Sequence, residues 1–198
     1  MANEYGDLPT LKQKLGIESG DTTRDALLNK AMAAASRGID EACGRRFWLD
    51  TNAVQRTFRP RGRVVREDDG ALLLVDDIGS LTGLVVESGS GASFSPVTGY
   101  ETSPDNALLD GQPITGLLKV NGTWGTATSR IRVTARFGWP AVPDAIAEAA
   151  LIQAARLYKR KDSPEGVMSS AEWGVVRLSR RDPDVWGLIE PFILPGFG

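Results

Sequence analysis

From Ile131 to Phe137 apolar and polar side chains alternate without a break, Ile131, Val133, Ala135 and Phe137 interleaving with Arg132, Thr134 and Arg136. A period of two belongs to a strand with one face in a core and the other, here basic, in water. Within a few residues the chain passes Gly138, Trp139 and an Ala-Val-Pro turn and enters DAIAEAALIQAARLYKRK, where the period becomes helical. Pro143 suits a helix start because its missing N–H would be unpaired there. Asp144 and Glu148 favour the positive end of the helix dipole, and Lys159, Arg160 and Lys161 stand at the opposite end. At about 100° per residue, Ile146, Ala147, Ala150, Leu151, Ala154, Leu157 and Tyr158 share one arc. Any fold for this chain must therefore pass at once from sheet to a helix with unusually small side chains.

Upstream the same two periods divide the sequence. GDLPTLKQKLGI reads as a short helix capped by Thr10 and stopped at Gly16. A long helix follows over about 22–46, capped by Asp21 or Thr22, with Leu28, Met32, Ala35, Ile39 and Ala42 recurring every three or four residues. From 49 to 137 short apolar runs are broken by Gly, Asp, Asn and Pro, and NAVQRTF, ALLLVD, GLVVES, TGLLKVN and SRIRVTARF are the candidate strands, with weaker ones near Tyr100 and Leu108. The second long helix spans about 144–161. Beyond it a strand is expected at Trp173 to Leu178, then a brief helix begun by Asp182-Pro183 and ended by Pro191. The expected fold class is α+β: a helical layer of two long helices with an inserted antiparallel β region and a C-terminal docking tail. By residue, 1–48 is the N-terminal helical part, 49–137 the β region, 138–162 the second long helix completing the helical core, and 163–198 the C-terminal strand and docking tail.

Composition narrows the chemistry. The 198 residues contain no histidine and one cysteine. A Ser-His-Asp or Cys-His centre, a His-ligated zinc site and an internal disulfide are all excluded within a single chain. A net charge of −2 argues against a protein whose main task is gripping phosphates. No apolar run reaches the roughly eighteen residues of a membrane span, and the first residues do not read as a secretory signal, so a soluble cytoplasmic-side protein is expected.

Few motifs offer a site. Arg56, Arg59, Arg61, Arg63 and Arg66 cluster around a Pro and a Gly, but Glu67, Asp68 and Asp69 follow at once, which reads as a self-neutralising surface hairpin. Asp76-Asp77 lacks the spacing of a calcium loop. Gly89 and Gly91 follow a strand without opening a helix, so a phosphate loop is not indicated. Cys43 lies on a helical stripe where a small buried residue is ordinary. No catalytic, cofactor or metal residue is assigned, and no enzyme activity is expected. The alanine-rich faces and the apolar tail can pack on the chain's own sheet or on other chains. Exposed apolar patches on monomers are usually small unless they bind something.

The strand VTARFGW, the short AVP turn and DAIAEAALIQAARLYKRK resemble the head-tail connector (adaptor) proteins of long-tailed double-stranded DNA bacteriophages. The matching positions are Val133, Thr134, Phe137, Gly138, Trp139, Val142, Pro143, Ile146, Ala150, Ala154, Leu157, Tyr158 and Arg160. The order of parts is similar as well: an LKQKLGI helix, a long helix ending in CGRRFW, a β region longer than in the most compact members, the alanine-rich helix and a DPDVWGLIEPF ending. The resemblance implies a structural neck protein of the virion, assembled in the host cytoplasm as a ring of about twelve copies. Its partners would be the portal protein and a tail-side stopper or tail-terminator protein, with DNA passing through the channel without specific binding and no membrane or cofactor involved. Ala147, Ala150, Ala154 and Tyr158 are then the expected subunit interface, and Trp186, Ile189, Phe192 and Phe197 the expected portal-docking residues. The alternative is a small β-containing binding module for a polymer or protein partner, which aromatics grouped on an exposed sheet face would favour. A nucleic-acid role for the Arg56 to Arg66 loop comes third.

Overall fold

The structure, a computed structural model, describes residues 3–126, 128–160, 167–170, 174–177 and 182–194. It divides into two compact units, Trp48–Ala141 and the pair of segments Met1–Phe47 with Val142–Gly198.

The first unit is a seven-stranded sheet: β1 (Val54–Phe58), β2 (Val64–Glu67), β3 (Gly70–Ser90), β4 (Ser93–Pro96), β5 (Glu101–Ser103), β6 (Ile114–Val120) and β7 (Arg130–Phe137). All pairings are antiparallel. β3 organises the unit. Its first part, from Gly70 to Ile78, lies between β2 and β6, and its second part, up to Ser90, lies against β7 and β4. The runs ALLLVD and GLVVES are thus one strand and not two, because the polar stretch between them keeps the ladder through register shifts at Ile78/Ser80 and Ser80/Val85 where a turn was expected. Both parts feed one core, in which Leu73, Ile78, Leu117, Ile131, Val133, Ala135 and Phe137 are fully enclosed. The alternation on β7 therefore sorts its side chains as its period requires. Leu108 lies in a turn, two residues after Asn106 at φ +59°.

The second unit contains α1 (Leu8–Leu15), α2 (Asp25–Cys43), α3 (Asp144–Lys159) and α4 (Pro183–Ile189), with a 3₁₀ turn at Glu190–Phe192. The expected layer of two long helices is overturned. Among the described residues there are four helices, of 8, 19, 16 and 7 residues, and the structure is mostly antiparallel β. The physical reason is coverage: one seam between α2 and α3 cannot bury all their apolar positions, so Leu11 of α1 and Val185 and Ile189 of α4 are buried with them. Local signals start the extra helices. Asp7, not Thr10, caps α1 by accepting from the Thr10 N–H, and Asp182 caps α4 by accepting from the Asp184 and Val185 N–H groups. Helix α2 is shorter than its period indicates because the Asp21 carboxylate accepts from the Thr23 N–H and hydroxyl instead of capping a helix there. Gly44, in the left-handed conformation, ends it. Val167–Ser170 (β8) and Gly174–Arg177 (β9) form a two-stranded antiparallel ladder, and the rest of the Trp173 to Leu178 expectation lies outside the described residues.

Candidate functional site

The small-sided face of α3 is occupied by the chain itself. Ala150 and Ala154 are fully enclosed and Tyr158 nearly so, Ala154 and Tyr158 clustering with Leu11, Leu28, Met32, Ala35 and Leu151. Alanine permits this close approach of α2 and α3, since a longer side chain would hold the helices apart. Ala147 is half-buried. Of the four residues expected to meet a neighbouring subunit, only Ala147 retains appreciable exposed surface.

The end of α2 gathers residues 3–5 and residues 192–194. Tyr5 donates its hydroxyl proton to Asp40 and accepts from the Phe47 N–H at 2.8 Å, while its own N–H donates to Ser36 Oγ at 3.1 Å. Arg37 pairs with Asp40 at 3.1 Å and donates to the Asn3 carbonyl at 2.6 Å. Burial raises the Asp40 carboxyl above its usual range, partly opposed by the Tyr5 hydrogen bond and the Arg37 charge. From the segment after α4, Phe192 meets Phe47 edge-on at 5.6 Å and the Leu194 N–H donates to the Cys43 carbonyl at 2.9 Å. Burial pushes the Cys43 thiol up to about 11, which leaves it a poor nucleophile.

Beside this end runs a groove of about 280 Å³ between α2, α3 and α4, lined among others by Ala34, Gly38, Ala42, Gln153, Val185 and Trp186. Ala34, Gly38 and Ala42 are exposed, and a Cβ added at Gly38 would meet nothing within 4 Å. Of the expected docking residues, Trp186 and Phe192 are half-exposed, Ile189 is buried in its own unit, and Phe197 lies outside the described residues. The groove was not legible in the sequence because its lining comes from three helices whose register only the fold supplies.

In the sheet unit the arginine cluster is not neutralised as expected. Arg56 and Arg63 pair with Asp76 on β3, at 2.7 and 3.5 Å, and stack over Phe137 and Phe58. Glu67 ends β2 and Asp68-Asp69 form the hairpin tip, and none of these acids pairs with an arginine among the described residues. Nor do three His, Cys, Asp or Glu side chains gather there as a metal would need. The aromatics of this unit are buried or half-buried, so the described sheet faces hold no exposed aromatic platform for a polymer.

No protein-family profile matches the chain, and no curated protein is similar to it in sequence. Its fold is similar to that of a chain in a solved structure described as the neck of an empty GTA particle computed with C6 symmetry. The TM-score is 0.55 and the identity 17%, over 96% of this chain and 90% of that one. At that identity the likeness is one of fold.

Proposed function

We propose that this protein is a structural subunit of a phage-type neck. Copies form a ring in the virion that joins the portal to tail-side neck proteins and extends the DNA channel, a role that asks no chemistry of any residue. The observation that carries the reading is the fold likeness to a chain of the GTA neck along nearly its whole length. Six-fold symmetry in that assembly accommodates the twelve copies that the connector resemblance implies.

The placement of side chains refines how such a ring would be held. Ala150, Ala154 and Tyr158 set the spacing of α2 and α3 from behind, and Ala147 carries the contact with the next subunit on the exposed side of α3. Portal docking falls to Trp186 and Phe192, backed by the buried Ile189, and to Phe197, which lies outside the described residues. Deleting residues 183–198 would strip the partners of the groove, so point substitutions make the cleaner test. Cryo-electron microscopy of particles carrying the tagged chain should place a ring of it between capsid and tail. Ala147→Trp should prevent incorporation while the purified monomer melts as the parent does. Particles that assemble fully without this chain, or that hold it elsewhere, overturn the reading.

A further inference from the structure

Two of the three arginines left over from the Asp76 pairings, Arg61 and Arg66, stand at a second cavity, of about 350 Å³, in the sheet unit. The turn from Pro60 to Arg63, closed by the Arg63 N–H on the Pro60 carbonyl at 3.0 Å, brings Arg61 to its rim. Arg66 reaches the same space from β2, opposite Ala71 of β3 and therefore on the face that Ala71 turns inward. Across the cavity the loop of Thr123, Trp124, Gly125 and Thr126 is fixed by the Trp124 indole N–H, which donates to the Ala71 carbonyl at 2.8 Å. Neither Arg61 nor Arg66 has an ion-pair partner among the described residues, and Glu67, next along β2, occupies the opposite face. Two exposed guanidinium groups and two hydroxyl-bearing threonines thus border one cavity of ligand size, with no carboxylate lining it.

We propose that this cavity is a phosphate site, taking either free inorganic phosphate or a phosphodiester of a nucleic-acid strand. A carboxylate is satisfied by one bidentate arginine. Two arginines with additional hydroxyl donors match an oxyanion with three or four acceptor oxygens. The proposal does not depend on the neck reading, and it gives the Arg56 to Arg66 segment a use that structural assembly leaves unassigned.

The test compares the 198-residue chain with R61A/R66A and with R24A/K30A, which removes two exposed charges from the helical unit. Inorganic phosphate at about 10 mM is titrated while the Trp124 indole N–H resonance is followed. In parallel, binding of a labelled oligothymidylate is measured between about 50 and 200 mM salt. Phosphate should shift the Trp124 resonance in the parent and in R24A/K30A but not in R61A/R66A. Losing two phosphate contacts should weaken oligonucleotide binding about tenfold at the lower salt and flatten its salt slope by about 1.4. A response to phosphate alone identifies the free ion as the ligand, and a response to the oligonucleotide identifies the strand. Equal losses in R24A/K30A, or no response to either probe, overturn the proposal. So does binding of polyglutamate alone through these arginines, which would mark an acidic protein partner. R61K/R66K, keeping charge without the planar fork, should fall between parent and alanine variant, and matched thermal midpoints exclude unfolding as the cause.

Discussion

Gly138 is the residue on which the strand-to-helix passage depends. It holds φ at +114°, and a Cβ built there would lie 1.9 Å from the Trp48 carbonyl oxygen. Backbone strain and overlap then act together, so Gly138→Ala is expected to lower the unfolding free energy by about 3 kcal/mol. The drop in urea midpoint measures it, and a loss under about 1 kcal/mol would mean that the backbone at Trp48 yields easily. Nothing in FGW distinguishes this glycine from a flexible one, because the obstructing carbonyl comes from another part of the chain. Asp40 carries a pH dependence. Its native carboxyl is raised above the ordinary 3.8, chiefly by burial, so the folded protein holds this proton more tightly than the unfolded chain does. The stability it contributes is fully present below 3.8 and lost as pH rises through the native value. Asn at this position cannot ionise, so the stability of Asp40→Asn relative to the parent should climb as pH is raised from about 4 and then level off. Denaturation at a series of pH values reads it, and a difference that falls with pH contradicts the assignment.

Among the elements, α4 carries at its start one residue with two tasks. Asp182 caps its N-terminus and pairs with Arg156 of α3 at 3.1 Å, both side chains being mostly buried. Asp182→Ala should cost about 2 kcal/mol, one part from the cap and one from the pairing. Amide exchange should quicken in α4 before it does in α2. Ala154→Leu tests the seam of α2 and α3 from the other side. An added isopropyl group has no room at a fully enclosed position, and a loss of about 2 kcal/mol is expected from the thermal or urea midpoint. These elements also show how far sequence reading reaches. β7 and α3 were legible because each carries its own period over a whole element. β2 and β4, four residues each, carry too little pattern and form only because the ends of β3 offer them a ladder. The same holds for both cavities: Trp124 is far in sequence from Arg61 and Arg66, and the hairpin register and one indole hydrogen bond bring the three to one space.

At the scale of the whole molecule the two units differ in how they close. The sheet unit is one continuous segment, whereas the helical unit needs α2 from before that segment and α3 and α4 from after it. Leu28, Met32 and Ala35 of α2 find Leu151, Ala154 and Tyr158 only once the sheet segment has been passed. A fragment of residues 48–141 should therefore fold alone, with a cooperative melt and a β-type circular dichroism spectrum. A fragment of residues 1–47 should show little helix, since a nineteen-residue helix without its packing partner is marginal in water. The division also separates the two proposed roles. The groove and Ala147 belong to the helical unit and the phosphate cavity to the sheet unit. The 48–141 fragment should then bind phosphate as the full chain does while failing to enter particles. If the fragment folds but loses the phosphate response, the cavity requires residues outside the sheet unit. If it does not fold, the two units are not independent, and the helices must be counted among what holds the sheet.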